Sequence, residues 1–183
     1  LIFLVIILLL YTTTAFLIAG IIYFASQRPH YSHLKHTISE LGADNAVNKR
    51  AVNLGLFFPA GLLLILFGLL HSGNADIKGL AVCLGTGYLV SAFFPCDPGS
   101  PLMGSSKQTV HSMGGFIEYA GGIYFLNKCP HLLLTPSFIQ PQWITGFLVV
   151  CVILTSLPAF KLRGLFQRIL EMILFGQLLW ISY

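Results

Sequence analysis

A chain of 183 residues that is 56% hydrophobic and only 9% charged cannot cover itself with a water-facing surface, since soluble domains carry about 25% charged residues. The formal charge of +4 implies no nucleic acid partner, because the ten Lys and Arg are scattered over short loops, where they anchor topology and headgroups. The four cysteines show no C-x-x-C spacing and indicate neither a zinc ribbon nor a disulfide framework.

Six apolar runs, each near the roughly 20 residues that a helix needs to cross a bilayer, predict one all-α domain over 1–183. It is read as a polytopic integral membrane bundle of six transmembrane helices, with a short interfacial helix between the first two. Span one runs from about Ile2 to Ala25. It lacks a basic leading region and a small-residue cleavage site, so it is read as a transmembrane helix and not as a signal peptide. Leu1 stands where a methionine would, and the natural N-terminus is expected upstream. The hydroxyls of Thr12, Thr13 and Thr14 are cheap in a membrane helix when they bond to carbonyls one turn back.

The polar connection 26–50 holds the densest cluster of chemistry-bearing residues, His30 to Asp44. With Ser32 as N-cap and Gly42 just past the end, His33 to Leu41 predicts a short amphipathic helix. Leu34, Ile38 and Leu41 fall on one side of it, His33, His36 and Glu40 on the other. His36 and Glu40 at i, i+4 have the spacing of a zinc site; the same pattern also fits the wet face of an interfacial helix.

Span two, about Ala51 to Leu70, contains Pro59, which predicts a kink, with Gly55, Gly61 and Gly68 nearby. His71 follows at the span end, where an interfacial place is expected, as for His131, Trp143 and Trp180. Span three, about Ile77 to Phe94, has Gly79, Gly85 and Gly87, which permit close backbone approach. It ends at Pro95-Cys-Asp97-Pro98-Gly99, where Asp97 fits a turn. Span four, about Val110 to Leu126, carries His111 and, near its middle, Glu118. An acid there costs roughly 2.5–3.5 kcal/mol on insertion scales, so it either bonds a Tyr or Ser across the bundle or works. Span five runs from about Trp143 to Phe160 and span six from about Leu165 to Tyr183. In span six Glu171 is expected to pair with Arg168, and Gln167 and Gln177 to bond between helices. Cys83 and Cys151 fall inside spans, Cys96 and Cys129 in loops on opposite faces.

This layout puts Ser39, Glu40, Asp97 and His111 at one membrane face. That face carries Arg28, Lys35, Lys49, Arg50, Lys107, Lys161, Arg163 and Arg168, against Lys78 and Lys128 opposite, and the positive-inside rule assigns it to the cytoplasm.

Tyr31-Ser32, Ile38-Ser39-Glu40-Leu41-Gly42, Phe94-Pro95-Cys96-Asp97, His111 and Gly164-Leu-Phe-Gln-Arg168 resemble, in order and spacing along the whole chain, the bacterial and archaeal membrane family called domain of unknown function 998. The resemblance implies six membrane helices and no established activity. It implies a prokaryotic plasma (inner) membrane location, and it maps the family's polar positions onto Ser39, Glu40, Asp97 and His111. Basic residues that members carry before span one and in the even loops imply the opposite orientation, so the two readings of sidedness stand side by side.

Three functions fit these residues. The first is an intramembrane hydrolase or transferase acting on a lipid-like substrate drawn from the lipid bilayer. There Ser39 is nucleophile or oxyanion donor, His111 base or metal ligand, and Glu40 and Asp97 its acidic partners; His36, Glu40, Asp97 and His111 would be the ligands if zinc is the cofactor. Membrane hydrolases related to alkaline ceramidases and adiponectin receptors have a similar Ser/Asp/His set, but this chain lacks their seven spans and paired late histidines. The second is a small-solute or proton-coupled carrier using Glu118 and His111. The third is an assembly partner without chemistry.

Overall fold

The computed structural model describes residues 2–129 and 140–182, so His131 and Tyr183 lie outside the described residues. Among these, regular structure is all helical, in six long helices: α1 (Ile2–Ser26), α2 (Lys49–Leu70), α3 (Ala75–Phe93), α4 (106–127), α5 (Pro141–Ser156) and α6 (Arg163–Ile181). Four of them, α1, α2, α3 and α6, are long and apolar enough to cross a membrane. At 1.5 Å per residue, the 16 residues of α5 reach about 24 Å, short of the ~30 Å hydrocarbon core. α4 carries Lys107, Gln108, His111 and Glu118 and is not among the four.

Polarity is distributed as lipid requires and water does not. Phe116 (72%), Met172 (70%) and Leu69 (67%) are exposed on the outside, while Gln108, His111, Glu118, Gln167 and Glu171 are buried within. The protein is therefore an integral membrane protein. Leu170, Leu174 and Leu178, one helical turn apart on α6, join Leu56, Phe57 and Leu64 of α2 and Leu80 and Leu84 of α3 in the core. α3 is central, packed against α2 on one side and α4 on the other. The α1 threonines bond back as expected, Thr13 Oγ1 to Leu9 O at 2.7 Å and Thr14 Oγ1 to Leu10 O at 2.9 Å.

Helix ends follow local chemistry. α5 was expected to reach Phe160 but stops at Ser156, because the residue before Pro158 is pushed out of the helical region. α4 starts earlier than expected, where Ser105 caps it by accepting from Gln108 N at 3.2 Å. Pro59 is accommodated by a π turn over Asn53–Phe57 immediately before it, which relieves the clash of its ring with the carbonyl four residues back. A second π turn, Ile117–Gly121, interrupts α4 and carries Glu118.

The predicted helix from His33 to Leu41 does not form. The segment makes turns and then a single 3₁₀ turn over Ser39–Gly42. The reason is a capping box at Thr37-Ile-Ser-Glu40: Glu40 Oε2 accepts from Thr37 N at 2.6 Å while Thr37 Oγ1 accepts from Glu40 N at 3.3 Å. Helix starts at Thr37 and not at Ser32, so the predicted row of His33, His36 and Glu40 has no common face.

Candidate functional site

The loops between α1 and α2 and between α3 and α4 close over a cavity of about 280 Å³ walled by α4, α5 and α6. For the inside of a membrane bundle its wall is unusually polar: Thr37, Ser39, Ser91, Gln108, His111, Ser112, Glu118, Tyr119, Thr155, Arg163 and Gln167. Ser39, His111 and Glu118 are thus brought to one cavity.

His111 is 7% exposed, and its Nδ1 lies 3.0 Å from Phe94 O. A carbonyl oxygen only accepts, so Nδ1 carries the proton and Nε2 of the neutral ring is the free base. Phe94 is available because α3 has ended there, just before Pro95. Ser39 stands half-buried at the first position of the 3₁₀ turn, and its carbonyl accepts from Cys96 Sγ at 3.4 Å. Among the described residues no hydrogen bond joins Ser39 Oγ to His111.

Arg163, counted above among the basic residues of one face, is buried at 6% exposure. Its guanidinium donates to Gly99 O at 2.7 Å, Ser100 O at 3.0 Å and Thr155 O at 3.1 Å. The receiving loop is a turn with Pro98 at its second position and Gly99 (φ +76°) at its third, closed by Ser100 N donating to Asp97 O at 2.8 Å. That is the type II pattern.

Glu40 and Asp97 do not line the cavity. The Glu40 carboxylate is spent on Thr37. Asp97 accepts from Ser105 N at 2.7 Å and Ser105 Oγ at 2.8 Å, and its own N–H donates to Gln108 Oε1 at 2.9 Å. His36 Nδ1 accepts from Ser32 N at 2.9 Å, with its ring stacked on Tyr31. Among the described residues no three His, Cys, Asp or Glu side chains could hold a metal ion. The zinc set of His36, Glu40, Asp97 and His111 is therefore not assembled, because His36, Glu40 and Asp97 are each bonded within their own loops and His111 is bonded to Phe94 O. Burial pushes the Cys96 thiol up to about 12, so it is neutral and takes no part either.

Residues 12–182 match the model of a family described as protein of unknown function (DUF998). The chain belongs to the DUF998 family. No curated protein and no solved structure matches it. Several residues of the stretches that carried the resemblance hold the α1–α2 connection in place. Tyr31 OH donates to Thr37 O at 2.8 Å and accepts from Arg168 Nη2 at 2.7 Å. Arg168 Nη1 also reaches His33 O and His36 O, so it is not the ion-pair partner expected for Glu171. Leu165 N donates to Leu34 O at 3.0 Å, and a Cβ on Gly164 would run into the backbone of His33 and His36. Ser39 owes its position at the cavity rim to these contacts.

The two Ser105 donors hold the Asp97 carboxyl below the ordinary aspartate range. A depressed folded-state pKa contributes stability that is present above the unfolded value and is lost as pH falls through the folded one. The wild type is accordingly expected to melt above Asp97→Asn near neutral pH, and the gap to close on acidification; a gap that persists in acid would contradict it.

Proposed function

We propose that this DUF998 protein is a membrane hydrolase or transferase acting on a lipid-like amphiphile whose polar head enters the cavity beside Ser39 and His111. One observation carries the reading. The polar cavity shares Leu102, Ser112 and Phe116 with an outer groove of about 460 Å³, otherwise lined mainly by Met103, Met113 and Ile117. A hydrogen-bonding pocket that merges with an apolar groove on the exposed side of α4 suits a ligand with one polar end and one hydrocarbon end. The bilayer is then both solvent and substrate source, and the resemblance noted in the sequence supports a prokaryotic plasma membrane as its setting.

In this reading His111 Nε2 takes the Ser39 Oγ proton as Oγ attacks an acyl carbonyl. The C–O ester bond breaks, and the leaving alkoxide takes the proton from the imidazolium. Phe94 O does the orienting that a carboxylate does elsewhere, by fixing the tautomer. The Ser39–His111 contact has to tighten when substrate fills the cavity, as hydrogen bonds in unliganded sites often do.

The test is labelling with alkyl fluorophosphonates in detergent micelles. Mass spectrometry should find the adduct on Ser39, with a long-chain probe reacting faster than a short one. His111→Gln should slow it by about 10²–10⁴, the usual span for loss of a general base. Equal labelling of Ser39→Ala, or none in folded wild type, would sink the proposal.

A further inference from the structure

The chemistry assigned to Ser39 and His111 leaves one buried group unused. Glu118 of α4 and Glu171 of α6 are 6% and 8% exposed, and both border one small void. Two like charges sharing a buried site cannot both ionise cheaply, so one of the pair holds a proton. Its place follows from the neighbours. Glu171 accepts from Tyr119 OH at 2.8 Å and Tyr88 OH at 3.2 Å, and Gln167 Nε2 donates to Tyr119 OH at 2.8 Å. Donors converge on Glu171, as they do on an ionised carboxylate, whereas Glu118 Oε1 is buried without any partner. Glu118 is the member that carries the proton.

Glu118 lines a void of about 10 Å³, about one water molecule of room. Ser39, Ser91, Glu118, Tyr119 and Gln167 belong both to that void and to the polar cavity. On its other side Ile38, Tyr88 and Glu171 also border a mainly apolar groove of about 290 Å³ beneath α1. The pair thus has a wet approach from the loops and a dry one from the lipid side. The charged and titratable groups around it are Tyr88 from α3, Tyr119 from α4, and Arg168 on α6, with His33 at the far edge of the groove.

We propose that Glu118 and Glu171 form a proton-binding site that holds one shared proton and exchanges it with the polar cavity, which Glu118 itself borders. In the loading step a hydronium in the void gives its proton to Glu118 and becomes water. Release reverses this, leaving two carboxylates: Glu171 keeps its bonds from Tyr88 and Tyr119, and Glu118 faces the void. Proton access is one-sided, from the face that carries Ser39. Nothing in the site depends on Ser39 acting as a nucleophile.

Infrared difference spectroscopy of the protein in lipid tests it. At neutral pH the wild type should show the carbonyl stretch of a protonated carboxyl, shifting promptly in heavy water. Glu118→Gln, whose amide can still donate to Glu171, should fold and lose the band. Glu171→Gln should keep it, displaced. The proposal is overturned by folded wild type without the band, by a band that survives in Glu118→Gln, or by one that never exchanges in heavy water.

Discussion

Arg163→Ala is expected to lower the melting temperature in micelles by about 6–12 °C, the equivalent of about 3 kcal/mol for a chain of this size. The residue makes three charge-assisted bonds to the carbonyls of Gly99, Ser100 and Thr155. Bonds to a charged group contribute about 1.5–3 kcal/mol each, but Gly99 is exposed and its carbonyl regains water when the arginine goes. The discounted sum is what remains. Arg163→Lys should recover only a minor part, because an ammonium cannot present the planar fork that serves three acceptors. Arg163→Ala should also slow the proposed probe labelling of Ser39, since the same guanidinium ties the α3–α4 loop to the end of α5. Thermal unfolding followed by circular dichroism measures the first effect. A lysine variant as stable as wild type would show that charge alone matters there.

Gly61→Ala and Gly176→Ala should move stability in opposite directions. A Cβ at Gly61 would lie 2.7 Å from Gly85 O and 2.8 Å from Leu89 N. These are backbone atoms that no rotamer change can withdraw, so α2 and α3 must part. Overpacking of this kind costs about 1–3 kcal/mol, which outweighs the gain of up to ~1 kcal/mol from replacing glycine by alanine inside a helix. At Gly176 a Cβ meets nothing within 4 Å, and only the gain remains. Melting temperatures of the two variants decide it; a stabilised Gly61→Ala would mean that the helix pair is looser than the contact implies.

Much of the fold was legible, because apolar runs of span length and breakers such as Pro95, Pro98 and Gly99 have few other uses. The glycines of α2 and α3 were also readable as contact points. The site was only partly so. His111 and Glu118 announced themselves as polar groups in an apolar helix, and Ser39 came with its loop. Glu40 misled: Thr37-x-x-Glu40 is a capping box in plain view, yet the histidines around it suggested metal. Asp97 sat at the right face but points to its own loop. Arg163 could not be singled out from Lys161 and Arg168, since burial of one arginine among three basic residues is decided by tertiary contacts. Glu171 had a signal, a second acid in an apolar span, that the nearby Arg168 obscured.

The π turn at Ile117–Gly121 has a consequence for what lengths of α4 the bundle can accept. Such a turn holds one residue more than the helix on either side. Trimming that residue would leave an unbroken helix, but it would swing everything beyond by about 100°. Ile123 and Leu126, now inward, would exchange places with outward Tyr124, and the second half of α4 would no longer face α3. The extra residue lets both halves of one helix stay against α3, with Glu118 at the joint between them.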